Sequence, residues 1–341
     1  MEFTGESLKE MQGWDLDRKI DVALARIMEW YVRWDGKCYV SFSGGKDSTV
    51  LADLAAGVCA MTQRKLILWY SDTGLEYPEV REHALHFGEW LQQTYGIEVE
   101  TIRDFPKDKS GKRILFRDVI EKYGYPLISK EVAQKIYEAR RNPCGVCAAR
   151  FRPDGEYATK YGGRYYMGKW TWLKDSDIPI SHLCCNVMKK RPAKQYEKKS
   201  GNKPIIGTMA EESNLRRTAW LKHGCNAFDQ ERPSSQPLSI WTEQDVLQYL
   251  LKFKIPYASV YGDIIQDKKG KLITTGCDRT GCIWCGLGVH REKEPNRFQR
   301  LKTTHPKLWE YCMKPWDEGG LGMKSVLEFI HVKTGAEKEK E

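Results

Sequence analysis

In Ser41-Phe42-Ser43-Gly44-Gly45-Lys46-Asp47-Ser48-Thr49-Val50 an apolar run ends in two glycines and a lysine, and an apolar pattern of helical spacing begins directly behind them. Tyr39, Val40 and Phe42 read as the end of a buried strand, and the apolar positions between Asp47 and Cys59 recur as on a helix, so the glycines sit at a strand-to-helix turn. Gly44 and Gly45 can adopt positive φ and let backbone N–H groups approach an anion. The helix N-terminus adds its dipole and Lys46 adds a charge, so the turn is built to hold phosphate. It is not the G-x-x-x-x-G-K-[ST] loop of the common nucleotidases, because its two glycines are adjacent.

The remainder of the chain bounds the answer. Its 341 residues, 41% hydrophobic and 30% charged, suit one large globular domain or two modest ones. No apolar run approaches the roughly 20 residues that span a bilayer, and the N-terminus lacks the basic-then-apolar order of a signal peptide. A cytoplasmic protein with no membrane partner is expected. The net charge of +9 suits a polyanionic ligand, and Lys189-Lys190-Arg191, Lys198-Lys199, Arg216-Arg217 and Lys268-Lys269 concentrate part of it. Eleven cysteines in such a chain point to metal or redox chemistry rather than a disulfide framework.

Taken in order, residues 1–36 read as an amphipathic helical segment. A second strand, Lys65–Tyr70, ends in Ser71-Asp72-Thr73-Gly74, and the carboxyl edge of such a strand is where open α/β sheets bind ligands. Asp72 is therefore a candidate for ribose, metal or phosphate-water contact. A helix over Pro78–Tyr95 and a strand near Glu98–Ile102 continue the alternation. The expected fold is α/β, a doubly wound and mostly parallel sheet completed by a later strand, Pro204–Gly207. Between about 104 and 200 the composition turns rich in Lys, Arg, Trp, Tyr and Gly, as in an insertion that covers a site. Ser129 is an N-cap for a helix over Glu131–Arg141, and Ser129 or Lys130 is within the class of residue that meets an anion. The expected boundaries are a helical segment 1–36, a nucleotide-binding domain 37–240 with its insertion, and a helical, cysteine-rich region 241–341.

Seven cysteines fall in three groups: Cys144 with Cys147, the adjacent Cys184 and Cys185, and Cys277, Cys282 and Cys285. Thiolates gathered in this way are what zinc or an iron–sulfur cluster requires. Thiolates alone do not name the metal. Cys144 and Cys147 would hold a separate zinc, form a redox dithiol or replace a ligand of the main set, and Cys277 is an equal substitute.

Ser43–Ser48 resembles the pyrophosphate loop of the adenine-nucleotide alpha-hydrolase superfamily, and Asp72-Thr73-Gly74-Leu75-Glu76-Tyr77-Pro78 is similar to the D-T-G-x-x-[FY]-P segment of sulfonucleotide reductases. The Cys-Cys pair joined to a distant C-x-x-C resembles the cluster motif of the branch of the phosphoadenosine-phosphosulfate reductase family that carries a [4Fe-4S] centre. By that resemblance Cys184, Cys185, Cys282 and Cys285 are the ligands, with zinc as the alternative metal. Cys185–Pro192 looks like the family's C-C-x-x-x-K-x-x-P stretch, and Pro237–Val246 like its P-L-x-x-W-T-x-x-D-V segment. In the latter, Thr242 and Asp245 also form a capping box at the start of a helix.

Thr208–Arg217 looks like the family's G-x-R-x-x-E-S-x-x-R segment: Gly207, Glu212, Ser213 and Arg216 match, while Met209 stands in place of an arginine. Arg216 suits a phosphate or sulfate. The family's C-terminal E-C-G-[LI]-H nucleophile segment has no counterpart before Glu341.

The resemblance implies an enzyme of sulfur metabolism that binds ATP or a sulfonucleotide at Ser43, Gly44, Gly45, Lys46, Asp47 and Ser48, next to a [4Fe-4S] cluster. Asp72, Gly207, Glu212, Ser213 and Arg216 would complete the nucleotide site, and Lys46, Asp47, Asp72 and Arg216 would carry the chemistry. If the reaction is sulfonucleotide reduction, a thiol such as Cys144 or Cys147 attacks sulfur while Lys46, Lys130 and Arg216 hold phosphates. If it is ATP pyrophosphatase chemistry, Asp47 or Asp72 positions Mg²⁺, and an acceptor oxygen is adenylated and replaced by sulfur, as in DNA phosphorothioation or tRNA thiolation. An electron or sulfur donor protein, and nucleic acid, are then expected partners. A non-enzymatic, metal-stabilised nucleotide- or nucleic-acid-binding module is the third expectation.

Overall fold

The computed structural model describes residues 3–161 and 163–335. The end of the expected C-terminal region, residues 336–341, lies outside the described residues, as do Met1, Glu2 and Gly162.

Among the described residues, buried runs and turn residues give ten strands in chain order: β1 (Cys38–Phe42), β2 (Leu66–Ser71), β3 (Val99–Asp104), β4 (Leu127–Ile128), β5 (Lys203–Ile205), β6 (Asn226–Ala227), β7 (Ser234–Ser235), β8 (Ile264–Gln266), β9 (Leu272–Thr274) and β10 (Gly286–Leu287). Six of them form one sheet in the order β3-β2-β1-β5-β7-β6, parallel throughout except for the β6–β7 pair. The expected α/β class with a mostly parallel sheet is what the chain forms. Chain order reverses at β1, which lies between β2 and β5, and ligands of open α/β sheets bind beyond the carboxyl end of the strands at such a point. The loops that leave the carboxyl ends of β1 and β5 begin at Ser43 and Ile206.

The chain divides into two compact units, and the division departs from the expected boundaries. The first comprises residues 1–72, 76–105 and 192–280; the second comprises 73–75, 106–191 and 281–341. Residues 1–36 are not a separate segment, because Leu8, Met11, Leu16, Ala23, Ile27 and Trp30 are buried in the same core as β1 and the helix Lys46–Thr62. That helix is apolar on nearly every face and is buried along its length. Residues 241–280 also join the first unit. The Tyr249 hydroxyl donates to Asp53 Oδ2 at 2.6 Å, and Lys19 Nζ meets Asp245 Oδ2 at 2.7 Å in a nearly dry ion pair. Neither partner of these pairs can be left alone in the core, so they fix the helix Glu243–Lys252 against the first unit.

The capping box expected at that helix is present: the Asp245 N–H donates to Thr242 Oγ1, and Thr242 N–H donates back to Asp245 Oδ2 at 2.7 Å. Replacing Thr242 by alanine is expected to lower stability by about 1 kcal/mol, the usual cost of a lost N-cap, read as a lower midpoint in reversible denaturant unfolding.

In the second unit β4 and β10 pair in parallel, with Gly286 opposite Leu127 and Leu287 opposite Ile128. This register sets the residue after Cys285 beside the strand that immediately precedes Ser129. Ser129 then caps the helix Lys130–Arg141 by accepting from Val132 N–H at 3.1 Å. Arg140 on that helix donates to the carbonyls of Leu173, Lys174, Ser176 and Ile178, pinning a stretch with little regular structure of its own.

Candidate functional site

The glycine loop of the first unit is closed by its own serines. Ser43 N–H donates to Ser48 Oγ at 3.2 Å, the two hydroxyls meet at 3.0 Å, and Ser48 Oγ donates to Gly45 O at 2.8 Å. Gly44 has φ +73°, and a Cβ there would come within 2.5 Å of the Val80 carbonyl, so the turn admits only glycine. A Cβ on Gly207, in the loop after β5, would sit 3.1 Å from Asp47 O. The two carboxyl-end loops therefore touch, backbone against backbone, where the strand order reverses. Gly207 matters for this close approach.

Lys46 opens the helix behind the loop and is buried. Its Nζ donates to Asp278 O at 2.7 Å and pairs with Glu243 Oε1 at 3.0 Å, and its backbone N–H donates to Tyr261 Oη at 3.2 Å. Tyr261 shares a 2.6 Å hydrogen bond with Thr280. The amine is thus held in place by a carbonyl and a carboxylate, the same oxygen chemistry that a phosphate offers.

Asp47 is the informative member of the loop. Its Oδ1 is buried and has no hydrogen-bond partner among the described residues. Burial pushes its carboxyl above the usual range, against the opposing pull of Lys46, Arg279 and Arg216. A buried carboxylate oxygen without a partner is costly, and a cation or a ligand hydroxyl would relieve it.

Glu212 gathers two further cations beside the loop. It forms ion pairs with both Arg216 and Arg279, and its Oε2 accepts from Met209 N–H at 2.9 Å. Ser213 is the N-cap of the helix Asn214–His223, accepting from Arg216 N–H at 3.3 Å. Arg216 feels Asp47, and burial together with Arg279 lowers its pKa. Lys46, Asp47, Glu212, Arg216 and Arg279 therefore make one electrostatic neighbourhood.

Asp72 is placed differently from the expectation of a reactive carboxylate. It is fully buried at the end of β2 and accepts from Arg81 Nε at 3.1 Å and from Arg103 at 2.8 and 2.5 Å. With two guanidinium groups on it, Asp72 is suited to orienting those arginines rather than to meeting Mg²⁺.

The second unit holds all four matched cysteines. Cys184 and Cys185 precede a π-helical turn, Asn186–Lys190, a backbone irregularity frequent at functional sites. Their sulfurs lie 4.0 Å apart, with Cys184 donating. The thiols act on one another. That hydrogen bond and burial, then the Cys185, Cys285 and Cys282 sulfurs, push Cys184 up. Cys185 is held down by the Cys184 S–H and by the ammonium groups of Lys130 and Lys189. Burial and then Cys282 push Cys285 up to about 11, and Arg297 donates to the Cys285 carbonyl at 3.1 Å. The structure places Lys130 at the Cys185 thiol, a cationic support for a thiolate. Cys277 lies in the first unit, where its N–H donates to Val260 O at 3.0 Å. Among the described residues no three His, Cys, Asp or Glu side chains are gathered tightly enough to hold a single metal ion.

Sequence reasoning missed Arg279, Thr280 and Glu243 as members of the loop site. Glu243 lay inside the P-L-x-x-W-T-x-x-D-V segment, and Arg279 and Thr280 lay between Cys277 and Cys282, so both were read only for their neighbours.

Residues 146–287 match the phosphoadenosine phosphosulfate reductase domain. The matched span holds Gly207, Glu212, Arg216 and the four cysteines, and begins well after Ser43–Ser48. An uncharacterized protein of Methanocaldococcus jannaschii is 23% identical over 291 residues, 84% of this chain and 43% of that protein. The chain thus spans less than half the length of this curated relative. A solved structure of the U34-tRNA thiolase NcsA from Methanococcus maripaludis with its [4Fe-4S] cluster aligns over 95% of this chain and 84% of that one, at 14% identity and a TM-score of 0.34. No helix among the described residues is long and apolar enough to cross a membrane.

Proposed function

We infer, for a chain whose residues 146–287 match the phosphoadenosine phosphosulfate reductase domain, an enzyme of sulfur metabolism that binds an adenine nucleotide on Ser43–Ser48 and carries a [4Fe-4S] cluster on Cys184, Cys185, Cys282 and Cys285. The observation that carries the nucleotide reading is Asp47 Oδ1, a buried carboxylate oxygen without a partner, set among Lys46, Arg216 and Arg279. Three cations suit phosphates, and the orphaned carboxylate suits the Mg²⁺ that accompanies ATP. The donor set therefore fits a nucleotide with its metal, and ATP is the favoured substrate.

In this reading the loop amides and Lys46 hold the pyrophosphate portion, while Glu212 aims Arg216 and Arg279 at charge that develops on the leaving group. Asp47 would hold Mg²⁺, which neutralises charge on the phosphates when bound. Attack of an acceptor oxygen on the α-phosphorus releases pyrophosphate and leaves an adenylated acceptor, from which a sulfur nucleophile then displaces AMP. The net charge of +9 favours nucleic acid as that acceptor.

The four cysteines of the second unit supply the thiol donors that a metal centre needs. Thiolates of this kind could hold zinc or an iron–sulfur cluster, and the likeness of the Cys184-Cys185 pair and the Cys282-x-x-Cys285 pair to the cluster motif supports the cluster. The cluster would supply electrons or bind sulfur. Lys130 and Lys189 would offset the charge of its thiolates.

A second reading is sulfonucleotide reduction, favoured by the domain match itself. Magnesium separates the two. Calorimetric affinity for ATP is expected to rise with Mg²⁺ in the wild type and to lose that dependence in Asp47→Asn. Magnesium-independent binding by both proteins would remove Asp47 from the metal site and favour the second reading.

A further inference from the structure

Cys144 and Cys147 stand apart from the four cysteines proposed as ligands, and the second of them has the surroundings of a nucleophile. Its Sγ donates to Glu138 Oε2 at 2.8 Å. The other carboxylate oxygen, Oε1, accepts from Gln134 Nε2 at 2.7 Å, so the base is itself oriented by a third group. Lys135 Nζ lies 3.6 Å from the Cys147 sulfur and 3.5 Å from Glu138 Oε2. All three partners stand on the helix Lys130–Arg141, one or two turns from its end, and the chain folds back through Asn142–Val146 to bring the thiol against them. A thiol hydrogen-bonded to a base that a further side chain holds in place is the arrangement that activates nucleophiles.

We propose that Cys147 is a nucleophilic thiol with Glu138 as its general base, and that with Cys144 it forms a redox-active dithiol acting on disulfides. Glu138 Oε2 takes the proton from Cys147 Sγ, which attacks one sulfur of a disulfide R–S–S–R. A new S–S bond forms, the old one breaks, and R–S⁻ leaves and is protonated. The Cys144 thiolate then attacks Cys147 Sγ, releasing the second R–SH and closing the Cys144–Cys147 disulfide. Two protein thiols are oxidised, one disulfide is reduced to two thiols, and no further oxidant is needed.

The electrostatics set where the proton rests before the attack. Burial, and then the Glu138 carboxylate, hold the Cys147 thiol above its ordinary pKa, so it rests protonated and needs a base. The Cys147 and Gln134 hydrogen bonds hold Glu138 below the ordinary range, so it rests ionised and can be that base. His182, which also feels Glu138 and Lys135, is lowered by burial and stays neutral. Cys144 is exposed and Cys147 half-buried, so an external disulfide can reach the Cys147 thiol and the Cys144 thiol is free to follow.

The test uses anaerobically purified full-length protein, oxidised glutathione as the disulfide, and peptide mapping by mass, with metal content recorded before and after. The wild type is expected to form a Cys144–Cys147 disulfide, and Cys144→Ser to stop with glutathione on Cys147. At pH 7 Glu138→Gln is expected to slow reaction at Cys147 by about tenfold or more, with the deficit shrinking as the pH rises toward the thiol's own ionisation. Glu138→Asp, which keeps a carboxylate, should restore part of the rate. Glutathione on Cys144 with Cys147 untouched, or a Glu138→Gln protein that folds and reacts at the wild-type rate or faster, would overturn the proposal, as would a metal bound by the Cys144–Cys147 pair. None of these outcomes bears on the nucleotide site, which has neither residue in it.

Discussion

Lys46→Ala is expected to weaken adenine-nucleotide binding by about 1–3 kcal/mol, or roughly 5- to 150-fold, measured by calorimetry. The size follows from the buried position of the amine: it is nearly inaccessible, and both of its side-chain partners are oxygens, one carbonyl and one carboxylate. A phosphate exchanging with the Glu243 carboxylate would keep the ammonium paired, so little desolvation would be spent on binding. The same geometry fixes the sign of a companion change. Glu243 is about half exposed at its side chain, and the loss of so exposed a pair costs little. Glu243→Gln therefore removes a competitor for Lys46 and should tighten binding by a few fold, about the range of one exposed ion pair. Weaker binding in both variants would mean that Glu243 assists the ligand; unchanged binding in Lys46→Ala would take the nucleotide away from this loop.

The largest effect is expected at the cysteines. Cys185→Ala or Cys282→Ala should yield protein that has lost its brown colour and most of its iron, measured by absorbance and metal analysis on anaerobic preparations. Removing one thiolate from a set of four breaks a cluster's ligation, and the four proposed as ligands are Cys184 and the three sulfurs it feels, Cys185, Cys282 and Cys285. Two further variants make the prediction selective. Cys277→Ala should keep its iron, because Cys277 is not one of the four cysteines matched to the cluster motif. Cys147→Ala should keep it too, because that thiol is engaged with Glu138 and Lys135. A colourless wild type with stoichiometric zinc would contradict the cluster, and loss of iron in Cys277→Ala would contradict the ligand set.

The parts that local chemistry dictates were legible in the sequence. Gly44, Gly45 and Lys46 at the end of an apolar run announce a strand, a turn and a helix, and β1 with the helix Lys46–Thr62 is the result. Thr242 and Asp245, three residues apart, announce a cap, and Ser129 another. What was not legible depends on distant pairings. Asp72 looks like a reactive carboxylate until Arg103 from the adjacent strand and Arg81 from the following helix are seen to hold it. Arg279 and Thr280 carry no signature of their own, and only the packing of 261–280 onto the loop brings them to Lys46 and Glu212.

Unit boundaries failed for the same reason. Composition marks the start of the stretch at about residue 104, close to the observed Pro106. It says nothing about Asp53 reaching Tyr249, or Lys19 reaching Asp245, and those buried pairs bind the ends of the first unit together. The Cys147–Glu138 contact was equally hidden, since nine residues and a helix end separate the two.

The most direct measurement of the central claim is a product assay on one anaerobic preparation. The protein is incubated separately with ATP and Mg²⁺, with adenosine phosphosulfate and with phosphoadenosine phosphosulfate, in the presence of bulk nucleic acid and a sulfide source. Pyrophosphate and AMP from ATP, abolished in Lys46→Ala and Asp47→Asn, is the result expected from a loop that holds pyrophosphate beside an unpartnered carboxylate. Sulfite from either sulfonucleotide, with ATP left intact, would contradict it.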